Sequence, residues 1–225
     1  MSESVKVAVR VRPFNQREKD RDAKLVIDMR DATTVIKHPD SGEEKKFTFD
    51  HSYWSHDGFT LEENGYARPE DDRYADQGKV FDDLGVGLLE NAWQGYNCCV
   101  FAYGQTGSGK SYSIVGYEEN KGIIPLVCAD LFRRIDEASS DDVAFRVQVT
   151  MLEIYNEKLR DLLNPKTAND QLKIRTSSSG MYVENIKEVA VDSYKSIEKQ
   201  MDVGTRNRTV GATQMNATSS RAHTV

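Results

Sequence analysis

An α/β fold, with a central, mostly parallel β-sheet flanked by helices and a small antiparallel lobe, is predicted by three features of this 225-residue chain. Residues 97–103 (Asn-Cys-Cys-Val-Phe-Ala-Tyr) form a short apolar run without alternation, which reads as a strand buried on both faces. That run leads directly into Gly104, Gln105, Thr106, Gly107, Ser108, Gly109, Lys110 and Ser111, the spacing G-x-x-x-x-G-K-[ST]. Helical apolar spacing lies on both sides, with Val80, Leu84 and Leu88 before it and Ile124, Cys128, Leu131 and Ile135 after it.

The chemistry explains the residue types. Glycines let the backbone curl so that successive N–H groups face inward as an anion nest, where a side chain would block phosphate. Lys110 can reach the β- and γ-phosphates of a nucleotide, and the Ser111 hydroxyl can sit on Mg²⁺. The helix expected after Ser111 turns its positive end toward the same anion. Strand, glycine turn and helix in that order predict a P-loop NTPase that binds a nucleoside triphosphate.

The bulk numbers narrow the class. Hydrophobic residues make up 38% and charged residues 29%, the balance of a soluble globular domain, and 225 residues suffice for one core. A net charge of −6 argues against nucleic acid as a partner, so an acidic polymer would need a local basic patch. No apolar run approaches membrane-spanning length, and Met1-Ser2-Glu3-Ser4 is not a signal peptide. The three cysteines lack metal-ligand rhythm. Cys98 and Cys99 are expected in the buried strand and Cys128 on an apolar helix face, as in a reducing cytosol.

Along the chain, residues 5–11 alternate as a strand ending at Arg10, Arg12 and Pro13. Residues 22–50 hold short strand-like pieces between charged turns, the antiparallel lobe. Residues 53–76 show no period and are expected as an exposed loop. The Val80 helix should stop at Gly95. After a short helix at Ser111, a second one restarts with Pro125 in its first turn. Val143, Phe145, Val147, Val149 and Met151 alternate as a long strand, followed by a strand–turn piece over 152–163. A polar loop over 166–180 precedes strand-like 181–183 and 189–191. Asp192 or Ser193 can cap a helix burying Tyr194, Ile197 and Met201, with Gly204 as its stop. A polar stretch over 205–221 follows, and a further strand begins at His223.

That last stretch carries Asn216, Ala217, Thr218, Ser219, Ser220 and Arg221. Beside a P-loop, such hydroxyls suit a loop that closes on Mg²⁺ and a γ-phosphate and lets go after hydrolysis. The run from Gly95-Tyr96-Asn97 through Phe101-Ala102-Tyr103 to Ser111 and Tyr112 resembles a kinesin motor domain. So do N-x-x-S-S-R at 216–221, Arg10-Val11-Arg12-Pro13, Leu152-Glu153-Ile154-Tyr155-Asn156-Glu157-Lys158 and Gly122-Ile123-Ile124-Pro125. Ser52-Tyr53-Trp54-Ser55-His56 is similar to the kinesin-3, organelle-transporting class.

The resemblance implies a microtubule-dependent motor ATPase, cytoplasmic and cytoskeletal, using ATP, ADP and Mg²⁺. Arg10, Arg12 and Pro13 would line the adenine with Tyr112 packed across it, and Gln105 to Ser111 would wrap the phosphates. Ser219 and Ser220 would close on the γ-phosphate, with Ser111 and Ser220 on Mg²⁺. Asn216 would support that loop, and Arg221 would pair with an acid of the second switch. Lys166, Lys173 and Arg175 lie in the polar loop where kinesins touch acidic tubulin. Ala222 replaces a usual serine, and Leu126 a common arginine. The family's D-x-A-G-S-E, the Mg²⁺-side acid, does not occur in these residues; Asp192 fits its pattern but is better explained as a helix cap. Residues 1–225 therefore read as the N-terminal portion of a motor domain, an incomplete kinesin motor fold ending just after switch I. Cargo or adaptor binding would belong to regions further along. Two other readings stand beside this one: a different P-loop enzyme, and a non-catalytic kinesin-like fragment that binds nucleotide or tubulin without turnover.

Overall fold

The computed structural model describes residues 5–178, 180–214 and 222–225, with the backbone alone over 209–214. The chain divides into two units, 1–127 and 128–225.

In the first unit, β1 (Ala8–Val11) and α1 (Gln16–Lys19) precede an antiparallel sheet of β2 (Ile27–Arg30), β3 (Thr33–Lys37) and β4 (Glu44–Thr48). This sheet is the small lobe foreseen over 22–50. The next strand, β5 (His51–Trp54), runs parallel to β1, with Ala8 opposite His51 and Val11 opposite Trp54. It forms the parallel ladder among the described residues.

Residues 53–76 are not the exposed loop expected. Tyr53, Trp54, Ser55, Ala67, Tyr74 and Ala75 are buried, and β6 (Phe59–Leu61) pairs with β7 (Ala67–Pro69) as a hairpin. Tyr53, Ala75 and Val80 form a core against Ala8 and Leu84, while the Arg73 guanidinium covers Trp54 at 3.9 Å. These aromatics pack on partners distant in the chain, which leaves no local period to read.

Asp76 opens the next helix by accepting the Lys79 N–H at 2.8 Å. Helical residues then run through α2 (Gln77–Val80), a π-helical turn at Phe81–Gly85 and α3 (Val86–Trp93). At Gly95, with φ +90°, a Schellman motif ends them: Tyr96 N–H donates to Asn91 O and Gly95 N–H to Ala92 O, both at 3.0 Å. The stop is where the sequence puts it.

Residues 97–103 depart most from expectation. They form no strand, Phe101 is 83% and Tyr103 96% exposed, and Cys98 and Cys99 are exposed rather than buried. A strand buried on both faces requires neighbours to take its backbone hydrogen bonds along both edges. No described strand pairs with this segment, and apolar composition alone cannot supply one.

Beyond the glycine loop, α4 (Lys110–Ile114) is short, as foreseen, and a tight hairpin of β8 (Gly116–Tyr117) and β9 (Asn120–Lys121) follows. Then α5 (Ile123–Ala138) begins, with Pro125 in its first turn. Ile124, expected inside, is 38% exposed, and Phe132 is buried instead.

The second unit packs Phe132, Val191 and Ile197 with Cys128, Ile135, Val147, Val149, Val189, Tyr194 and Met201. Burial pushes the Cys128 thiol up to about 11, so it packs as an apolar group. The strands are β10 (Val147–Val149), β11 (Leu152–Tyr155), β12 (Lys158–Asp161), β13 (Lys173–Ser177), β14 (Gly180–Glu184) and β15 (Val189–Val191), followed by α6 (Tyr194–Gln214) and β16 (His223–Thr224). The pairings are antiparallel: β10 with β15, β13 with β14, and β11 with both β12 and β16.

Three expectations change here. The strand foreseen over 143–151 is only as long as its three-residue ladder with β15, and Val143 and Phe145 are exposed. Lys173 and Arg175 lie on β13 rather than in a loop. Gly204 does not stop α6, which continues to Gln214; a Cβ there would run into Met151 Sδ, so the glycine serves close approach. The helix start is as expected, with Ser193 Oγ accepting the Ser196 N–H at 3.3 Å and Asp192 accepting from the Ser196 hydroxyl at 2.7 Å.

Candidate functional site

The glycine loop is curled by its own residue types. Gly104, Gly107 and Gly109 have φ of +153°, +80° and +96°, values that L side chains resist. A Cβ on Gly104 would lie 2.5 Å from Ser108 Oγ, whereas Gly107 faces open space. Gly109 caps α4, so the N–H groups of Lys110, Ser111 and Tyr112 in its first turn have no intrahelical acceptor. Lys110 Nζ folds back and donates to Gly104 O and Gln105 O, each at 2.8 Å. A cation held by two neutral carbonyls at the first turn of α4 fits an anionic phosphate chain. Ser111 is exposed at the mouth of this loop.

Of the two arginines at β1 and its exit, Arg12 holds the loop. Arg12 Nε donates to Gly107 O at 2.6 Å, and its Nη1 donates to Pro13 O at 2.6 Å. The same guanidinium meets Glu18 in a two-pronged pair, Nη1 to Oε2 and Nη2 to Oε1, both at 2.7 Å. Arg10 is turned inward. It donates from Nε to Ser55 Oγ at 2.8 Å, from Nη1 to Gln77 Oε1 at 2.7 Å and Ser113 Oγ at 3.2 Å, and from Nη2 to Ala75 O at 3.1 Å. Burial lowers the Arg10 pKa, although nearby Tyr112, Tyr74 and Asp76 oppose the shift. Its guanidinium carbon lies 5.2 Å from the ring centre of Tyr112, whose own pKa burial raises. Sequence-predicted Arg10 and Tyr112 are thus together, as are Arg12, Pro13 and Gly107.

Glu18 makes the Arg12 clamp sensitive to acid. The Arg12 hydrogen bonds first, and the Asn15 N–H second, hold its carboxyl at about 2, against an ordinary 4.5. A depressed carboxyl pKa stabilises the fold above the ordinary value, and that contribution is lost as pH falls through the folded one. Wild type and Glu18→Gln are therefore expected to differ in denaturant midpoint above pH 4.5. The difference should vanish toward pH 2 and shrink with salt, because the pair is partly exposed.

Glu18, Gln77, Ser55, Ser113 and Asn120 were missed by motif reading. Two left a trace. Asn15-x-x-Glu18 is a capping-box spacing, and the box is present, with Glu18 N–H donating to Asn15 Oδ1 at 2.9 Å and Asn15 N–H to Glu18 Oε2 at 2.8 Å. Gln77 precedes Val80, Leu84 and Leu88 at helical spacing, a polar residue on an apolar stripe. Asn216, Ser219, Ser220 and Arg221 lie outside the described residues.

Lys166 and Lys173 are exposed, and Arg175 Nε pairs with Glu184 Oε2 at 3.0 Å. Among the described residues, no group of three or more His, Cys, Asp or Glu side chains could hold a metal ion, and no helix is long and apolar enough to cross a membrane.

A glycine loop closed by a lysine at the head of a helix, set in an α/β fold, defines a P-loop NTPase. The model of the family described as the kinesin motor domain matches residues 10–225. "Kinesin-like protein KIF1A" of Rattus norvegicus is 49% identical over 227 residues, covering 99% of this chain and 13% of that protein. "Kinesin-related protein 1" of Dictyostelium discoideum is 47% identical over 238 residues, covering 99% of this chain and 10% of its own length. A structure of KIF14 with ADP in complex with a microtubule superposes with a TM-score of 0.78 at 39% identity, over 90% of this chain and 55% of that one. A fast kinesin superposes with a TM-score of 0.82 at 30% identity, over 98% and 58%. The chain belongs to the kinesin motor-domain family, and its relatives include kinesin-3 members. It spans roughly a tenth of the length of those two curated relatives, and 55% and 58% of the two solved chains.

Proposed function

We propose that these residues form the nucleotide-binding part of a microtubule-dependent motor ATPase. The observation that carries the reading is Lys110 at the head of α4, held by the carbonyls of Gly104 and Gln105 within a loop whose glycines lie at positive φ. Phosphate oxygens would replace those two carbonyls, turning neutral-acceptor bonds into charge-assisted ones. Mg²⁺, when bound, neutralises charge on the β- and γ-phosphates, and Ser111 and Ser220 are the hydroxyls offered to it. Arg10, Arg12 and Pro13 would line the adenine, with Tyr112 packed across it. Ser219 closes on the γ-phosphate, Asn216 supports the closing loop, and Arg221 ties it to a second switch. ATP and ADP are the ligands; the relative KIF14 was solved with ADP and with AMP-PNP on a microtubule.

Microtubules are the proposed track, and exposed Lys166 and Lys173 suit an acidic lattice. Arg175 contributes less, since Glu184 already pairs with it.

The test is phosphate release by the full-length protein with and without microtubules. Turnover that rises severalfold on microtubules is the expected result, and turnover indifferent to them overturns the motor reading. The 225 residues alone contain no D-x-A-G-S-E, and we expect them to show little stimulated turnover. That absence favours nucleotide or tubulin binding without turnover for the isolated segment, and brisk stimulated hydrolysis by it would refute this.

A further inference from the structure

Gln77 is 5% exposed at the first position of α2, and its whole amide is engaged. Its oxygen accepts from Arg10 Nη1 at 2.7 Å, while its nitrogen donates to Tyr112 O at 2.6 Å and Asn120 O at 3.1 Å. One side chain thereby joins β1, the P-loop helix α4 and the hairpin that follows it. Asn120, 8% exposed, extends the network by accepting the Ala67 N–H at 2.9 Å and donating to Gly65 O at 2.8 Å. A buried amide with both donors and its acceptor satisfied fixes its partners in one arrangement.

The group so fixed is Tyr112. Arg10 lies against its ring at 5.2 Å and reaches the neighbouring Ser113 Oγ at 3.2 Å, while Gln77 holds its carbonyl. None of the partners of Gln77 belongs to the loop 104–109, which Arg12 holds separately at Gly107. Base side and phosphate side therefore have distinct clamps.

We infer that Gln77 is a positioning residue for the nucleobase, setting Tyr112 where it packs on the base while leaving the phosphate cradle alone. This rests on the proposed nucleotide site, and the test separates the two. The affinities of the full-length protein for ATP and for inorganic tripolyphosphate, each with Mg²⁺, are compared in wild type and two variants. Gln77→Met removes all three hydrogen bonds at similar length. Gln77→Glu keeps the Arg10 contact but sets an oxygen against the two carbonyls, and it serves should the methionine variant not fold.

ATP binding is expected to weaken about tenfold in either variant, with tripolyphosphate affinity unchanged. Tyr112→Ala should add little further loss on top of Gln77→Met, as coupled residues do. A merely structural role would lower both affinities together. That result, or undiminished ATP affinity in a folded variant, overturns the inference while wild-type binding remains intact. Wild type binding neither ligand would instead defeat the nucleotide site itself and remove the inference with it.

Discussion

Lys110→Ala is expected to abolish ATP binding at ordinary ligand concentrations. Nζ now donates to two neutral carbonyls, and on a phosphate chain it would make charge-assisted bonds. At about 1.5–3 kcal/mol each, two such bonds correspond to a hundredfold or more in affinity. The apo fold should hardly notice, because the bonds Nζ makes at the loop are exposed to water. Calorimetric titration with ATP, beside a thermal melt of the apo variant, reads both effects. Lys110→Arg should rescue poorly, since a planar fork cannot replace a compact ammonium inside a tight loop. Undiminished ATP affinity in Lys110→Ala would remove the P-loop assignment.

Asp161→Ala is expected to cause the largest loss of stability. Asp161 is fully buried at the end of β12, beside Leu162 and Leu163. Its Oδ1 accepts the N–H groups of Leu163 at 2.8 Å and Asn164 at 2.9 Å, and its Oδ2 accepts that of Lys187 at 2.8 Å. Alanine would leave the buried N–H of Leu163 and the partly buried N–H groups of Asn164 and Lys187 without their acceptor, at about 1–3 kcal/mol for the buried one and less for the other two. The sum, a few kcal/mol, is a large fraction of the stability of an ordinary domain, about 5–15 kcal/mol. Asp161→Asn keeps the two Oδ1 bonds and loses only the Lys187 one, so it should fall in between. Denaturant midpoints of the three proteins check the order, and a near-neutral alanine variant would contradict it.

The phosphate loop was legible because its chemistry is local. Closely spaced glycines, a lysine and a hydroxyl specify both a backbone curl and the charge it receives, and Gly104, Gly107 and Gly109 lie at positive φ. Gly95 as a stop and Ser193 as a start were readable for the same reason, since capping bonds join residues only a few positions apart. Periodicity misled wherever the outcome depended on a distant partner. Residues 97–103 have a strand's composition without a strand's neighbours, and the alternation over 143–151 shrinks to the length of β15. Gly204 looked like a stop and proved to be a point of close approach to Met151.

From residue order alone came the family, the phosphate loop and the residues offered to a nucleotide, because each is written in short spacings that act through adjacent backbone. Folding in three dimensions settled the rest. It turned Arg10 inward onto Gln77, set Arg12 between Gly107 and Glu18, and enclosed the carboxylate of Asp161. The bonds from Arg10 to Gln77, from Arg12 to Gly107 and from the Lys187 N–H to Asp161 join residues far apart in the chain. No stretch of sequence has those partners, or the exclusion of water that strengthens the buried bonds, until the segments around it are packed.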